Sequence, residues 1–131
     1  MNGLVVDDNE IVLDVVARVL RGAGHRVLVA RDLASARRIG SRERLRIDLL
    51  VTDVEMPDGS GFDLADNFAA LRPEIPVVWI SGGYLQRDRE VHTRIRPGRV
   101  FVEKPFTIPA LMAAIAQATG AMMGRCACAG S

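Results

Sequence analysis

The stretch Leu49-Leu50-Val51-Thr52-Asp53 is apolar at consecutive positions and stops at a carboxylate. A strand with one wet face alternates apolar and polar residues. A short unbroken apolar run fits a strand covered on both faces. Three more segments repeat the pattern: Leu4-Val5-Val6 stops at Asp7-Asp8, Val77-Val78-Trp79-Ile80 at Ser81-Gly82-Gly83, and Val100-Phe101-Val102 runs into Glu103-Lys104-Pro105. Val27-Leu28-Val29 is a further candidate strand. Helical spacing fills the intervals. Ile11, Val12, Val15, Val16, Val19 and Leu20 recur at three and four, with Asn9 or Asp8 as N-cap and Gly22 or Gly24 near the stop. Residues 33–43 read as a helix whose polar face is Arg37, Arg38 and Arg42. Met56-Pro57-Asp58-Gly59-Ser60-Gly61 has the chemistry of a loop. A helix follows with Leu64, Phe68 and Leu71 on one face, closed by Pro73. Residues 84–95 are polar and arginine-rich, a poor helix ended by Pro97 and Gly98. Ile108, Leu111, Met112, Ile115 and Ala116 line a last helix, with Pro105 and Pro109 at its start.

Five strands thus alternate with five helical segments, and strands apolar on both faces need helices on both sides. The expected fold is α/β: a doubly wound (βα)5 domain of three layers, with ligands bound beyond the carboxyl ends of a parallel sheet. A length of 131 residues fits one domain. Residues 1–120 supply it; residues 121–131, small residues with Cys126 and Cys128, read as a disordered tail. An apolar fraction of 49% argues against disorder of the whole. Seventeen basic against sixteen acidic residues leave a net charge of +1, which offers no bulk attraction to nucleic acid or anionic membrane. No apolar run is long enough to span a bilayer, the first residues are not a secretory signal, and two cysteines are no disulfide framework. The expected compartment is the cytoplasm.

The polar residues that stop the strands would share one edge of such a sheet. Asp7, Asp8 and Asp53 would meet there with Ser81 and Lys104. Three carboxylates so close repel unless a cation lies between them. Mg²⁺ is the fitting ion, a hard cation taking oxygen ligands with positions left for water and phosphate. A carboxylate such as Asp53 can attack a phosphoryl group, while the metal and an ammonium neutralise its oxygens. The charges balance: three aspartates are matched by a divalent cation and Lys104. Sixteen of the seventeen basic residues are arginine, and the one lysine stands here. Lysine is a compact point charge where arginine is a wide fork.

Val6-Asp7-Asp8, Thr52-Asp53, Met56-Pro57, Gly61, Ser81-Gly82 and Lys104-Pro105-Phe106, in that order, resemble the receiver domains of two-component response regulators. The resemblance covers residues 3–119. It implies a flavodoxin-like sheet of order 2-1-3-4-5, with a cis bond between Lys104 and Pro105. It also implies Asp53 as the phosphoacceptor and Asp7, Asp8, Asp53 and the backbone carbonyl of Glu55 as Mg²⁺ ligands. Lys104 and Ser81 would bind the phosphoryl group, and Phe101 would be an aromatic switch that turns inward when Ser81 moves. The implied donor is a histidine kinase or a histidine phosphotransfer protein. The output would pass through the fourth helix, fifth strand and fifth helix to a partner the sequence does not identify, with self-association among the options. No direct nucleic-acid contact and no enzyme activity beyond assisting its own phosphorylation and dephosphorylation are implied. Met56-Pro57 and Ser81-Gly82-Gly83-Tyr84 look like receivers attached to hybrid histidine kinases.

Two other functions fit parts of the pattern. One is a binding or dimerisation module that works without phosphorylation, which the intact Asp53 and Lys104 argue against. The other is a Mg²⁺-dependent phosphohydrolase, for which Glu55 has the right offset but no segment is long enough for a substrate cap. Arginines 37, 38, 42, 44 and 46 read as a solvated face, and those at 87, 89, 94, 96 and 99 as a candidate partner contact.

Overall fold

The structure is a computed structural model that describes residues 2–42, 46–81 and 98–130, with side chains through residue 120. Strands β1 (Asn2–Val6), β2 (Arg26–Ala30), β3 (Leu49–Asp53), β6 (Val77–Ser81) and β7 (Arg99–Glu103) form one parallel sheet of order β2-β1-β3-β6-β7. This is the flavodoxin-like arrangement expected. Two short strands, β4 (Glu55–Met56) and β5 (Gly59–Ser60), pair antiparallel in the stretch read as a plain loop. The helices are α1 (Glu10–Gly22), α2 (Leu33–Gly40), α3 (Gly61–Leu71) and the C-terminal helix (Ile108–Gly130). The last of these takes in most of the residues that composition sets apart as a tail. The expected fourth helix, with Gly82, Gly83 and four of the arginines beside it, lies outside the described residues.

Successive strand residues face opposite sides of a sheet, and both sides are covered. Leu4, Val6, Leu50, Val77 and Trp79 pack with residues of α2 and α3. Val5, Leu49, Val51, Val78, Ile80 and Val102 pack with α1 and the C-terminal helix. Where strands are covered twice, an apolar run reads truly. The helices correct the sequence reading in phase. In α1 the core takes Leu13, Val16, Ala17 and Leu20, while Ile11 is 76% exposed. Leu71 is exposed at the end of α3, and in the C-terminal helix Leu111, Ala114, Ile115 and Ala118 are buried while Ile108, Met112 and Ala116 are exposed. α1 is capped by Asn9, whose side chain accepts from the N–H groups of Ile11 and Val12. Arg99 is buried with its guanidinium 5.7 Å from the Trp79 ring centroid, so it does not belong with an exposed arginine patch.

At the edge of the sheet opposite the acidic residues, Asp48 joins three segments. It accepts from Arg72 Nη1 at 2.7 Å and from the Asn2 N–H at 3.0 Å, and its own N–H donates to Asn2 at 2.7 Å. Burial works against the Asp48 carboxylate, but the Asn2 N–H and Arg72 outweigh it and hold its pKa below the ordinary 3.8. A depressed carboxylate gives stability above its unfolded pKa and loses it as pH falls through the folded value. Asp48→Asn should therefore cost about 2 kcal/mol at pH 7. In urea unfolding the difference from wild type should shrink once the pH drops below about 4.

Candidate phosphoacceptor site

Parallel register brings the strand ends level. Val6 of β1 pairs with Thr52 of β3, which puts Asp7 beside Asp53. Asp53 in turn pairs with Ile80, and Ile80 with Val102, so Lys104 stands two residues beyond the same level. Asp7, Asp8 and Asp53 each offer a carboxylate oxygen within 4.8 Å of the others. Asp7 is wholly buried, Asp53 nearly so, and Asp8 is exposed. Lys104 Nζ donates to Asp53 Oδ2 at 3.1 Å and lies 3.3 Å from Asp7 Oδ2. The ammonium therefore bridges two of the three acids.

The remaining carboxylate oxygens are held by backbone. Asp7 Oδ1 accepts from the Asn9 N–H at 2.8 Å, which starts α1 directly over the site. Asp53 Oδ1 accepts from the Glu55 N–H at 3.2 Å. Asp7 Oδ2 is buried, has no hydrogen bond among the described residues, and lies 3.3 Å from the Lys104 ammonium. Burial pushes the Asp7 carboxyl above the usual carboxylate value; the Asn9 N–H and Lys104 oppose this, and the Asp53 charge adds to it. A raised carboxyl contributes stability below its unfolded pKa and loses it as pH rises through the folded value. For Lys104, burial works against the ammonium, but the Asp53 hydrogen bond and the charges of Asp53 and Asp7 outweigh it and hold its pKa above the usual lysine value. A buried carboxylate oxygen with no hydrogen bond among the described residues, beside two other carboxylates, fits a divalent cation held by oxygen ligands.

The start of α3 is pressed against the strand that carries Asp53. The Gly61 N–H donates to the Val54 carbonyl at 2.7 Å, and the Trp79 indole N–H donates to the Gly61 carbonyl at 3.3 Å. A Cβ on Gly61 would sit 2.2 Å from the Asp53 carbonyl oxygen. The motif contains Gly61, but the backbone oxygen it must admit is visible only in three dimensions. Ser81 is buried at the end of β6, and its carbonyl accepts from the Lys104 N–H at 2.6 Å. The Lys104–Pro105 bond is cis. Phe101 is half-buried one strand over, with its ring centroid 4.9 Å from Trp79 and 6.0 Å from Phe62. The acids and Lys104 are thus brought together, Ser81 closes the neighbouring strand, and Phe101 lies within an aromatic cluster.

The family described as "Response regulator receiver domain" matches residues 4–116. The "Probable transcriptional regulatory protein TcrX" of Mycobacterium tuberculosis is 34% identical over 105 residues, 80% of this chain and 44% of that protein. The "Autoinducer 1 sensor kinase/phosphatase LuxN" of Vibrio harveyi is 32% identical over 108 residues, 82% of this chain and 12% of that protein. The chain therefore spans less than half the length of either relative. The crystal structure of the receiver domain from the hybrid histidine kinase CckA is 32% identical and superposes with a TM-score of 0.72 over 90% of this chain and 98% of that one. No described helix is long and apolar enough to cross a membrane. A match over most of the length, the strand order and the acidic cluster agree: the chain belongs to the response regulator receiver domain family.

Proposed function

We propose that this chain is a Mg²⁺-dependent phosphoacceptor of a two-component phosphorelay, taking a phosphoryl group from phosphohistidine onto Asp53. The observation that carries the reading is the Lys104 bridge between Asp53 and the buried Asp7, inside a cluster of three carboxylates. An Asp53 carboxylate oxygen attacks phosphorus; the P–N bond of the donor breaks, its electron pair goes to the imidazole nitrogen, and an acyl phosphate forms. Lys104 already touches the acceptor carboxylate, so its charge is placed to meet the incoming phosphoryl oxygens without moving far. Asp7, Asp8, Asp53 and the Glu55 carbonyl would hold Mg²⁺, which supplies positive charge to the phosphoryl oxygens. Ser81 would donate its hydroxyl to the phosphate, and Phe101 would report that contact to the surface.

The donor in this reading is a histidine kinase or a histidine phosphotransfer protein in the cytoplasm, supported by similarity to proteins named as a sensor kinase and a hybrid histidine kinase. The receiver unit ends near residue 120. Its output surface includes β7 and the C-terminal helix, which flank a hollow of about 560 Å³ containing Phe101, Phe106 and Gln117. The phosphate biases that surface only through its differential interaction with the two forms.

The test is incubation with acetyl phosphate and Mg²⁺ followed by intact-mass measurement. One phosphoryl group should be gained, and the gain should be absent in Asp53→Ala and in EDTA. An unmodified wild type would favour a module that binds without phosphorylation. Rapid turnover of simple phosphate esters would favour a hydrolase.

A further inference from the structure

Asp58 lies beyond the site, between the two short strands of the β4–β5 ribbon, and its carboxylate reaches across to α2. Oδ1 accepts from the Leu33 N–H at 3.0 Å and Oδ2 from the Ala34 N–H at 3.2 Å. These are the first two amides of α2, which a helix leaves without partners of its own. The helix also has a local cap, because Asp32 accepts from the Ser35 N–H at 2.6 Å. The two carboxylates take different amides and do not compete. Backbone packing supports the contact: a Cβ on Gly59, where φ is +147°, would lie 2.9 Å from Leu33 Cδ1. At its other end α2 is fastened to α3, with Arg37 Nε donating to Asn67 Oδ1 at 2.8 Å and Gly40 set against the Phe68 ring.

Besides the β4–β5 pairing and the Gly61 to Val54 bond, the segment leaving Asp53 is therefore held near the acceptor and at its far end. Near the acceptor, the Glu55 N–H binds Asp53. At the far end, Asp58 binds a helix that is itself braced by α3. We propose that Asp58 is a positioning residue of the phosphoacceptor site, whose clamp on α2 holds the Glu55 loop in its metal-competent form. The inference rests on the proposed Mg²⁺ role of the three aspartates. Asp58 is outside the group of carboxylates that could hold a metal ion, and in this proposal works through the loop. Linkage then requires reciprocity: if the clamp favours metal, bound metal strengthens the clamp by the same factor.

The experiment compares the full chain with Asp58→Ala and Asp58→Asn. Mg²⁺ affinity is read by amide NMR titration, and the clamp by hydrogen exchange at Leu33 and Ala34. Loss of a group bonded directly to a metal ligand costs about 10–100-fold in affinity. Asp58 acts at one remove, so Asp58→Ala should weaken Mg²⁺ by about threefold to tenfold. It should also lose protection at both amides. Asparagine keeps one acceptor oxygen and caps helices well, so Asp58→Asn should recover part of both effects. In wild type, Mg²⁺ should raise protection at Leu33 and Ala34, and in Asp58→Ala it should not. Asp58→Ala that loses protection yet binds Mg²⁺ like wild type overturns the proposal, leaving the clamp purely structural. So does unchanged amide protection in that variant. A wild type that binds no Mg²⁺ sinks this proposal together with the metal role it rests on.

Discussion

Lys104→Ala should slow phosphoryl uptake by about 10²–10³-fold, the usual cost of removing one preorganised electrostatic donor. It should leave Mg²⁺ bound at least as tightly as in wild type. The two effects have one cause. Lys104 stands 3.1 Å from Asp53 and 3.3 Å from Asp7, so it offsets the charge of both carboxylates before any phosphate arrives. Without it, three carboxylates within 4.8 Å of one another have lost their ammonium partner and attract a cation more strongly. The transferring phosphoryl group, however, loses a fixed positive charge where its own negative charge must be met. Lys104→Arg should recover little, because a planar fork does not replace a point charge held between two carboxylates. Acetyl phosphate kinetics by intact mass, with Mg²⁺ affinity measured in parallel, separate the two quantities. Equal losses in both would show that Lys104 builds the metal site and has no separate part in transfer.

Gly61→Ala should destabilise the fold by about 3 kcal/mol, the upper end for overpacking. The added methyl would meet the Asp53 carbonyl oxygen at 2.2 Å. That oxygen belongs to a central strand with every residue buried and cannot swing aside as a side chain would. Relief has to come from backing α3 away, which would stretch the bonds from the Gly61 N–H to Val54 and from the Trp79 indole to the Gly61 carbonyl. The strand that carries Asp53 is thereby disturbed at its last residue, and metal affinity should fall with stability. Gly22→Ala is the control. Nothing lies within 4 Å of a Cβ there, so it should be neutral or slightly stabilising. Urea unfolding of the two variants checks this, and equal stability would refute the close-approach argument.

The sheet and the acidic cluster were legible because each depends on a one-dimensional pattern. Strands covered on both faces show as apolar runs, and Asp7, Asp53, Ser81 and Lys104 mark where those runs stop. The strands extend past those runs: Asn2 and Gly3 are added to β1, and one residue at each end to β2 and β7. Helix phase was less legible. Ile11, Val12, Leu13, Val15 and Val16 ring much of α1, and only packing against the sheet selects Leu13 over Ile11. The same ambiguity turned Leu71, Ile108 and Met112 outward. Arg99 sits in an arginine-rich stretch, and its burial over Trp79 follows from its place on β7. The Asp58 clamp joins residues 24 and 25 positions apart, and no local signal marks it.

The central claim is that Asp7, Asp8 and Asp53 share one cation beside Lys104. It is tested most directly by titrating ¹⁵N-labelled chain with Mg²⁺, with trace Mn²⁺ as a paramagnetic probe. The amides of Asp8, Asn9, Asp53, Glu55 and Lys104 should shift on one saturable curve and broaden first with Mn²⁺, and Asp53→Asn should weaken the response at all of them. Resonances at Asp53 and Lys104 that stay fixed while acidic residues elsewhere respond would contradict the shared site and the phosphoryl chemistry built on it.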